Sequence, residues 1–277
     1  MKPTWILGPC SMESRALYRS TGSCISALMS GRDWYYKSSF DKANRTSSLG
    51  PRGPGLKAGI DIFQEFKRDY PSIRLLTDVH ECHQVEALVG LIDCIQIPAF
   101  LCRQTDLLIE CAKHFGRINV KKGQWVSPTN ILGAADKIRS VNPHAEVWLC
   151  ERGTQLGYER LIVDFRDVDM FARVFDRVIL DCTHSAQLVT PEGRISGDRK
   201  LAERYLVSSP IFGYSGVFAE VHPAPSEALS DADCQIPLNR LPALIAGHDA
   251  TWQLGADQQS CAQGGAGRAE GAQHRLC

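Results

Sequence analysis

The chain has 277 residues, of which 44% are apolar, and its 31 basic side chains balance its 31 acidic ones. A formal net charge of zero provides no overall field that attracts nucleic acid or an anionic membrane, so any anion site must be a local cluster. The apolar fraction supports a packed core, and the length fits one large α/β domain or two ordinary ones.

The start of the chain predicts a buried strand, TWILGPC (4–10), and not a targeting segment. No apolar run approaches the roughly 18 to 20 residues that span a bilayer, and the first residues are not typical of a secretory signal. The 11 cysteines lack paired spacings. This favours reduced core residues in a cytoplasmic protein over the disulfides of a secreted one.

Short β-rich runs recur along the chain, and helical patterns separate them. The predicted strands are residues 4–10, 34–39, 73–79, 94–100, 117–122, 146–152, 177–183 and 215–221. Segments 55–70 and 104–115 have apolar residues at steps of three and four, which indicates amphipathic helices. Alternating strands and helices predict a parallel sheet, and this number of repeats predicts an α/β fold, a single-domain (β/α)8 TIM barrel over residues 1–247. A doubly wound open sheet is the alternative.

The end of the chain differs in composition from the rest. From residue 248 it is rich in Gly, Ala and Gln and shows no period. Residues 248–277 are therefore predicted to be a frayed or disordered tail after a last helix, or an aberrant terminus, without a chemical role.

Cations lie at the ends of several predicted strands, where a barrel places its functional groups. They are Lys37, Lys42, Arg45, Arg103, Lys121 and Arg152. If these side chains converge, they bind two phosphates and a carboxylate through charge-assisted hydrogen bonds of about 1.5–3 kcal/mol each. The alternative is ordinary salt bridging with the nearby acids Asp41, Asp106 and Glu151, or, for segment 37–47, solubility alone.

Potential metal ligands occupy strand ends as well. Cys10 ends the first strand, His184 follows the seventh, and Glu220 ends the eighth, while Asp231 or Asp233 in the next loop adds a carboxylate. This donor set suits a divalent Zn²⁺, Fe²⁺ or Mn²⁺ ion. A lone Cys and a lone His are also common core residues, and the spacing of ligands from distant strands does not separate the two interpretations.

Several segments together carry a resemblance to a known enzyme family. They are LGPCSMES, KSSFDKANRTS, LLTDVHE, QIPAFLCRQTDL, NVKKGQWVSP, LCERGTQLGY, DCTHSAQL, EVHPAP and ALSDADCQIPLNRLPAL. From residue 5 to about residue 245 the chain resembles the 3-deoxy-D-manno-octulosonate 8-phosphate synthases, which condense phosphoenolpyruvate with arabinose 5-phosphate. The combination of KSSFDKANR with PAFLCRQTDL is specific, whereas GPC or EVHP alone is not.

The resemblance implies substrate contacts for most of the candidate residues. Those matching the phosphoenolpyruvate site are Lys37, Lys42, Gln96, Ala99, Lys121 and Arg152. Asn44 and Arg45 match the site of the sugar phosphate, Thr46 keeps the hydroxyl of a family serine, and Asp78 at a strand end joins the substrate-binding set. Arg103 matches an arginine that reaches into a neighbouring subunit, which implies a homo-oligomer, usually a tetramer.

The resemblance also implies a metal. Family members with Cys at the position of Cys10 are metal-dependent, and members with Asn there are not. His184, Glu220 and Asp231 match the remaining ligand positions, so Asp231 and not Asp233 belongs to the set. Lys121, His184 and Cys10 are the predicted catalytic residues. Lys121 would donate a proton to the developing alkoxide or stabilise it by charge alone.

Two alternatives to this function remain at the level of sequence. The 3-deoxy-D-arabino-heptulosonate 7-phosphate synthases use erythrose 4-phosphate and typically have KPRTS where this chain has KANRTS, so Asn44 favours the five-carbon acceptor. A non-catalytic sugar-phosphate-binding protein is the other alternative, because the sequence after DCTHSAQL lacks the family's Gly-rich loop. The implied reaction is a step toward lipopolysaccharide precursors, with small-molecule substrates and no nucleic-acid or membrane partner.

Overall fold

The computed structural model describes residues 2–44, 50–155, 160–189 and 195–269, with side chains described up to residue 255 except those of Val189 and Ile195. The strands are β1 (Thr4–Gly8), β2 (Asp33–Lys37), β3 (Leu75–Asp78), β4 (Cys94–Ile97), β5 (Arg117–Lys121), β6 (Glu146–Glu151), β7 (Arg177–Asp181), β8 (Gln187–Val189), β9 (Ile195–Gly197), β10 (Gly216–His222) and β11 (Ile236–Pro237). The α-helices are α1 (Arg15–Leu28), α2 (Gly55–Asp69), α3 (Thr105–His114), α4 (Pro128–Val141), α5 (Val168–Ala172), α6 (Arg199–Ser208) and α7 (Leu241–Ala269).

The main sheet closes on itself. Strands β1 to β7 pair in parallel in chain order, β10 pairs with β7, and β10 also pairs with β1 through the register Thr4 to Gly216. All eight predicted strands are present, and the (β/α)8 barrel is confirmed. The open-sheet alternative is wrong, because an open sheet would leave β1 and β10 as unpaired edges.

The barrel strands are apolar on both faces because both faces are buried. One face packs inside the barrel, where Ile6, Tyr35, Leu76 and Phe218 belong to a central cluster. Their neighbours in sequence belong to a larger cluster between the strands and the surrounding helices. Since successive side chains on a strand point to opposite faces, this arrangement gives the continuous apolar runs that a parallel barrel requires.

Helix α7 extends beyond the residue at which a tail was expected. His248 is buried and packs against Trp5 of β1, with the ring centroids 4.4 Å apart. The hydroxyl of Thr251 donates a hydrogen bond to the carbonyl of Val207 on α6. The helix therefore passes through residue 248 because this part of it packs against the barrel and α6, and its backbone is helical to Ala269.

Two further findings concern the described residues only. No helix among them is both long and apolar enough to cross a membrane. The nine cysteines whose side chains are described are free thiols, and seven of these are buried.

Candidate active site

The interior face of the barrel changes from apolar to polar toward the carboxyl ends of the strands. On β2 the interior position after Tyr35 is Lys37, on β7 the position after Ile179 is Asp181, and on β10 the position after Phe218 is Glu220. Because side chains repeat every two residues, each polar residue stands directly above an apolar one. A charged layer therefore covers the apolar interior at the end where barrel enzymes have their active sites.

A cavity of about 710 Å³ opens at this end. It is lined by most of the residues predicted from sequence, namely Lys37, Lys42, Asn44, Asp78, Gln96, Ala99, Lys121, Arg152, His184 and Asp231. Cys10 and Glu220 are fully buried and contact residues of its lining. The structure thus brings residues from seven of the barrel strands and their following loops to one cavity.

Among the described residues that were predicted to bind substrate, Arg103 is not in the cavity lining. Arg103 is exposed in the turn after β4, where its backbone carbonyl accepts a hydrogen bond from Lys137. Its contact with a substrate phosphate stays a prediction. Pro98, Ala99 and Phe100, which precede Arg103 in the same turn, do line the cavity. Arg45 and Thr46 lie outside the described residues.

The Lys37 ammonium group is held on the floor of the cavity. Its Nζ donates to the carbonyl oxygen of Cys10 at 3.1 Å and to Ser39 Oγ at 3.0 Å, and it lies 3.5 Å from Glu220 Oε1. Lys42 Nζ donates to the same Ser39 hydroxyl at 3.0 Å. Burial lowers the pKa of Lys37, and the positive charge of Lys42 lowers it further. Two neighbouring cations of this kind favour an anion between them.

Lys121 forms the second cationic point. Its Nζ donates to Asp181 Oδ2 at 2.5 Å and lies 3.5 Å from the centre of the Phe218 ring, and Lys37 Nζ lies 5.5 Å from the centre of the same ring. Burial alone would raise the pKa of Asp181, but the charges of His184 and Lys121 hold it well below its usual value. Asp181 is therefore ionised and fixes the position of the Lys121 cation.

Two of the acids named as alternative partners of the cations, Asp41 and Glu151, contact other groups. Asp41 pairs with Arg52, and Glu151 lies 3.4 Å from the buried ammonium of Lys122. Glu151 also accepts a hydrogen bond from the backbone of Gly153. Neither acid pairs with Lys42 or Arg152 in the contacts of the described residues, so simple neutralisation by these acids does not account for the cluster.

Cys10, Glu220 and Asp231 form a candidate metal site. One ligand atom of each lies within 4.8 Å of the others, and Cys10 Sγ is 3.2 Å from Asp231 Oδ2. Both carboxylate oxygens of Glu220 are buried and make no hydrogen bond with another described residue. Lys37 Nζ lies 3.5 Å from Glu220 Oε1, and the thiol of Cys10 and the carboxylate of Asp231 lie beside the same glutamate. A thiol with two carboxylates is a donor set that fits a divalent ion.

His184 stands next to this group and not within it. Its Nδ1 lies 2.9 Å from Asp181 Oδ2, and its Nε2 lies 3.7 Å from Glu220 Oε1. In protein metal sites, a ligating imidazole commonly donates a hydrogen bond from the N–H of its other ring nitrogen to a carboxylate. Asp181 has this relation to His184, which leaves Nε2 directed toward the candidate metal site.

The thiol of Cys10 is held in its protonated form by its surroundings. Burial raises its pKa, and the negative charge of Glu220 raises it further. A cation among the same groups would reverse this preference, because metal binding releases the proton of a ligating thiol.

Asp231 lies in the loop between β10 and β11 in an unusual backbone conformation. Its φ of 52° is the only positive φ at a non-glycine among the described residues. Aspartate tolerates this region better than most residues, and such conformations concentrate at functional sites. Asp233, the competing candidate, is exposed and accepts a hydrogen bond from Ser196.

Sequence reasoning missed residues that act between the predicted ones. Ser39 joins Lys37 and Lys42, Asp181 joins Lys121 and His184, and Gln187 joins Arg152 and Asp231. Each missed residue lies within three positions of a predicted one in the segments KSSFDK and DCTHSAQ. The signal that would have found Asp181 is its interior strand position two residues after Ile179.

Comparisons with known proteins agree with the motifs. The model described as the DAHP synthetase I family matches residues 1–256. Three curated relatives are each named 2-dehydro-3-deoxyphosphooctonate aldolase. The relative from Bordetella petrii is 40% identical over 248 residues, with 87% of both chains covered. The relative from Helicobacter acinonychis is 41% identical, with 87% of this chain and 92% of its own covered. The relative from Chelativorans sp. is 42% identical, with 87% of both chains covered.

Proposed function

The chain belongs to the DAHP synthetase I family, and we propose that it condenses phosphoenolpyruvate with D-arabinose 5-phosphate. The products are 3-deoxy-D-manno-octulosonate 8-phosphate and inorganic phosphate, so the protein is a transferase enzyme. Support comes from the names of its relatives, since 2-dehydro-3-deoxyphosphooctonate aldolase denotes this activity. The same names favour this reaction over the heptulosonate synthase and over a non-catalytic binding protein.

The observation that carries the proposal is the meeting of three buried cations from separate strands. Lys37, Lys121 and Arg152 are 2%, 6% and 5% exposed, and all three line one cavity. Burying a cation is costly unless it is paired. Asp181 and Glu220 lie beside two of these cations and hold them in place. Cations from separate strands that meet around open space suit an anionic ligand, and phosphoenolpyruvate brings a carboxylate and a phosphate.

The residues of the cavity divide between the two substrates. Phosphoenolpyruvate binds to Lys37, Lys42, Lys121 and Arg152, and Gln96 and Ala99 line its pocket. Arabinose 5-phosphate binds near Asp78 and Asn44, and the proposed contacts of Arg45 and Thr46 extend this site. Arg103, exposed in the turn after β4, reaches the sugar phosphate of a neighbouring subunit in a homotetramer.

In the reaction, C3 of phosphoenolpyruvate attacks C1 of the sugar, and water adds at C2. Phosphate then leaves by cleavage of the C–O bond. Negative charge develops on the aldehyde oxygen as the C–C bond forms, and Lys121 stabilises it with a charge that Asp181 keeps in place. Lys37 and Arg152 bind phosphoenolpyruvate and offset its repulsion by the phosphate of arabinose 5-phosphate. C3 of phosphoenolpyruvate and C1 of the sugar are then held in the orientation that the reaction requires.

A divalent metal ion completes the site. Cys10, His184, Glu220 and Asp231 would hold it, and a thiolate with imidazole and carboxylate donors favours Zn²⁺, Fe²⁺ or Mn²⁺. When bound, the ion supplies Lewis-acid polarisation of an oxygen in the site. The two buried oxygens of Glu220 make no hydrogen bond with a described residue, which supports a further cation beside Lys37. The proposed location of the reaction is the cytoplasm.

The test is the release of inorganic phosphate from phosphoenolpyruvate by the pure, metal-loaded protein. Arabinose 5-phosphate should support release, and erythrose 4-phosphate should not. Release with erythrose 4-phosphate alone would reassign the protein to the heptulosonate reaction. Release with neither sugar would leave a binding protein without catalysis. Exposed Gln64 on α2 offers a control, since Gln64→Leu should leave release unchanged.

A further inference from the structure

The hairpin of β8 and β9 connects two loops of the cavity. The backbone of Leu188 on β8 pairs with Arg160 in the loop that follows β6 and Arg152. On β9, the Ser196 hydroxyl donates a hydrogen bond of 2.8 Å to Asp233 Oδ2 in the loop after β10. The hairpin thus contacts two loops: β8 contacts the loop after β6, which carries Arg152, and β9 contacts the loop after β10, which carries Asp231.

The hairpin also packs closely against the loop after β10. Gly197 pairs with Gln187 across the two strands. A Cβ at Gly197 would meet Cys234 Sγ at 1.7 Å, so only glycine allows this approach. Gln187, opposite Gly197, therefore lies at the end of the hairpin that packs against the loop that carries Asp231.

The side-chain amide of Gln187 bridges the two sites. Its Oε1 accepts a hydrogen bond of 2.6 Å from Arg152 Nη2, and its Nε2 donates one of 2.6 Å to Asp231 Oδ1. The amide has one possible orientation, because a guanidinium offers only donors and a carboxylate only acceptors. A guanidinium has five N–H donors, so the bond to Gln187 leaves others for an anionic ligand.

We infer that Gln187 is a positioning residue that couples metal occupancy to phosphoenolpyruvate affinity, an inference that rests on the proposed function. Asp231 is the end of the bridge that a metal would fix, since its other oxygen, Oδ2, lies 3.2 Å from Cys10 Sγ. When the Asp231 carboxylate is held in place, its hydrogen bond orients the Gln187 amide. The amide in turn orients the plane of the Arg152 guanidinium. The substrate then binds without the cost of ordering that side chain.

Coupling of this kind is reciprocal. If the metal raises the affinity for phosphoenolpyruvate by some factor, phosphoenolpyruvate raises the affinity for the metal by the same factor. This reciprocity separates coupling from a general loss of structure, which would weaken both ligands independently.

The experiment is a calorimetric titration of phosphoenolpyruvate, without a sugar phosphate, into the full chain in metal-free and Mn²⁺-loaded forms. In the native protein, Mn²⁺ should tighten binding by about 5- to 150-fold, the usual range for coupled sites. Leucine has nearly the same size as glutamine but makes neither hydrogen bond. In Gln187→Leu the ratio of phosphoenolpyruvate affinities with and without Mn²⁺ should therefore fall to about one. Gln187→Glu keeps an acceptor for Arg152 but has no donor for Asp231, and it should lose the coupling too.

The outcomes of this experiment separate the coupling role of Gln187 from the proposed function of the protein. Loss of coupling in both variants, with Mn²⁺ affinity measured separately and thermal unfolding close to that of Gln64→Leu, supports the inference. Native coupling in either variant, or no coupling in the native protein, overturns it. If phosphoenolpyruvate does not bind the native protein in either form, the proposed function fails and the inference fails with it.

Discussion

Replacing Lys121 by Met separates the catalytic role of this cation from its structural one. The substitution leaves the Asp181 carboxylate, which is fully buried, without the ammonium that lies 2.5 Å from it. Removing one partner of a buried ion pair typically costs about 3–5 kcal/mol of unfolding free energy. Asp181 still accepts a hydrogen bond of 2.9 Å from the backbone of His184, so we expect the lower end of that range. Phosphate release should fall by at least about 10²-fold, as when one donor to a developing oxyanion is removed.

The double variant Lys121→Met with Asp181→Asn is the matched control. Asparagine carries no charge, so the stability lost in the single variant should return in part, by about 0.5–3 kcal/mol of coupling. Denaturant unfolding measures the stability, and phosphate release measures the activity. We expect stability to recover while activity stays lost. Activity that returns together with stability would show that Lys121 acts only through the fold and would refute its assignment.

The remaining predictions concern the metal, pH and the subunit contact. Chelation should abolish phosphate release, and Cys10→Ala should prevent recovery by added Mn²⁺; full activity in chelator would remove the metal from the account. Burial lowers the pKa of His248 from 6.5 to about 4, so only the unfolded chain takes up a proton between these values. Unfolding free energy should therefore fall by up to about 3 kcal/mol as pH drops through this window. His248→Phe should flatten that dependence in denaturant titrations, and an unchanged slope would contradict the assignment. Arg103→Ala should raise the KM for arabinose 5-phosphate without lowering Tm, and an unchanged KM would exclude the intersubunit role.

The barrel could be predicted because its physical signals are local. Strands that are buried on both faces appear as short apolar runs, and the helices between them have one apolar side. The boundaries were less accurate where the strand ended early. The run 94–100 continues in sequence, but β4 stops at Ile97 because Pro98 follows and cannot donate to the sheet.

The β8–β9 hairpin and the extension of α7 have no comparable local pattern in the sequence. The hairpin of β8 and β9 lies in a polar segment that is typical of a loop, so the sequence indicated only a departure from the family. The extension of α7 was missed because its Gly- and Ala-rich composition hides His248, which is buried against Trp5. Both elements depend on contacts with distant parts of the chain, and composition does not record such contacts.

The candidate site shows the same division. Cations at strand ends were predictable, since a barrel brings those ends together and lysines inside strands are unusual. The groups that hold these cations were missed. Asp181, which pairs with Lys121 deep in the barrel, is marked in sequence only by its interior strand position two residues after Ile179. Arg103 is a different case, since sequence marks a cation after a strand but does not show which of the two substrates or subunits it meets.

The most direct measurement of the central claim is a crystal structure of the protein with phosphoenolpyruvate bound. Lys37, Lys121 and Arg152 should all lie within hydrogen-bonding distance of its carboxylate or phosphate oxygens, inside the cavity at the carboxyl ends of the strands. Phosphoenolpyruvate bound outside this cavity, or bound there without contact to these three side chains, would contradict the account.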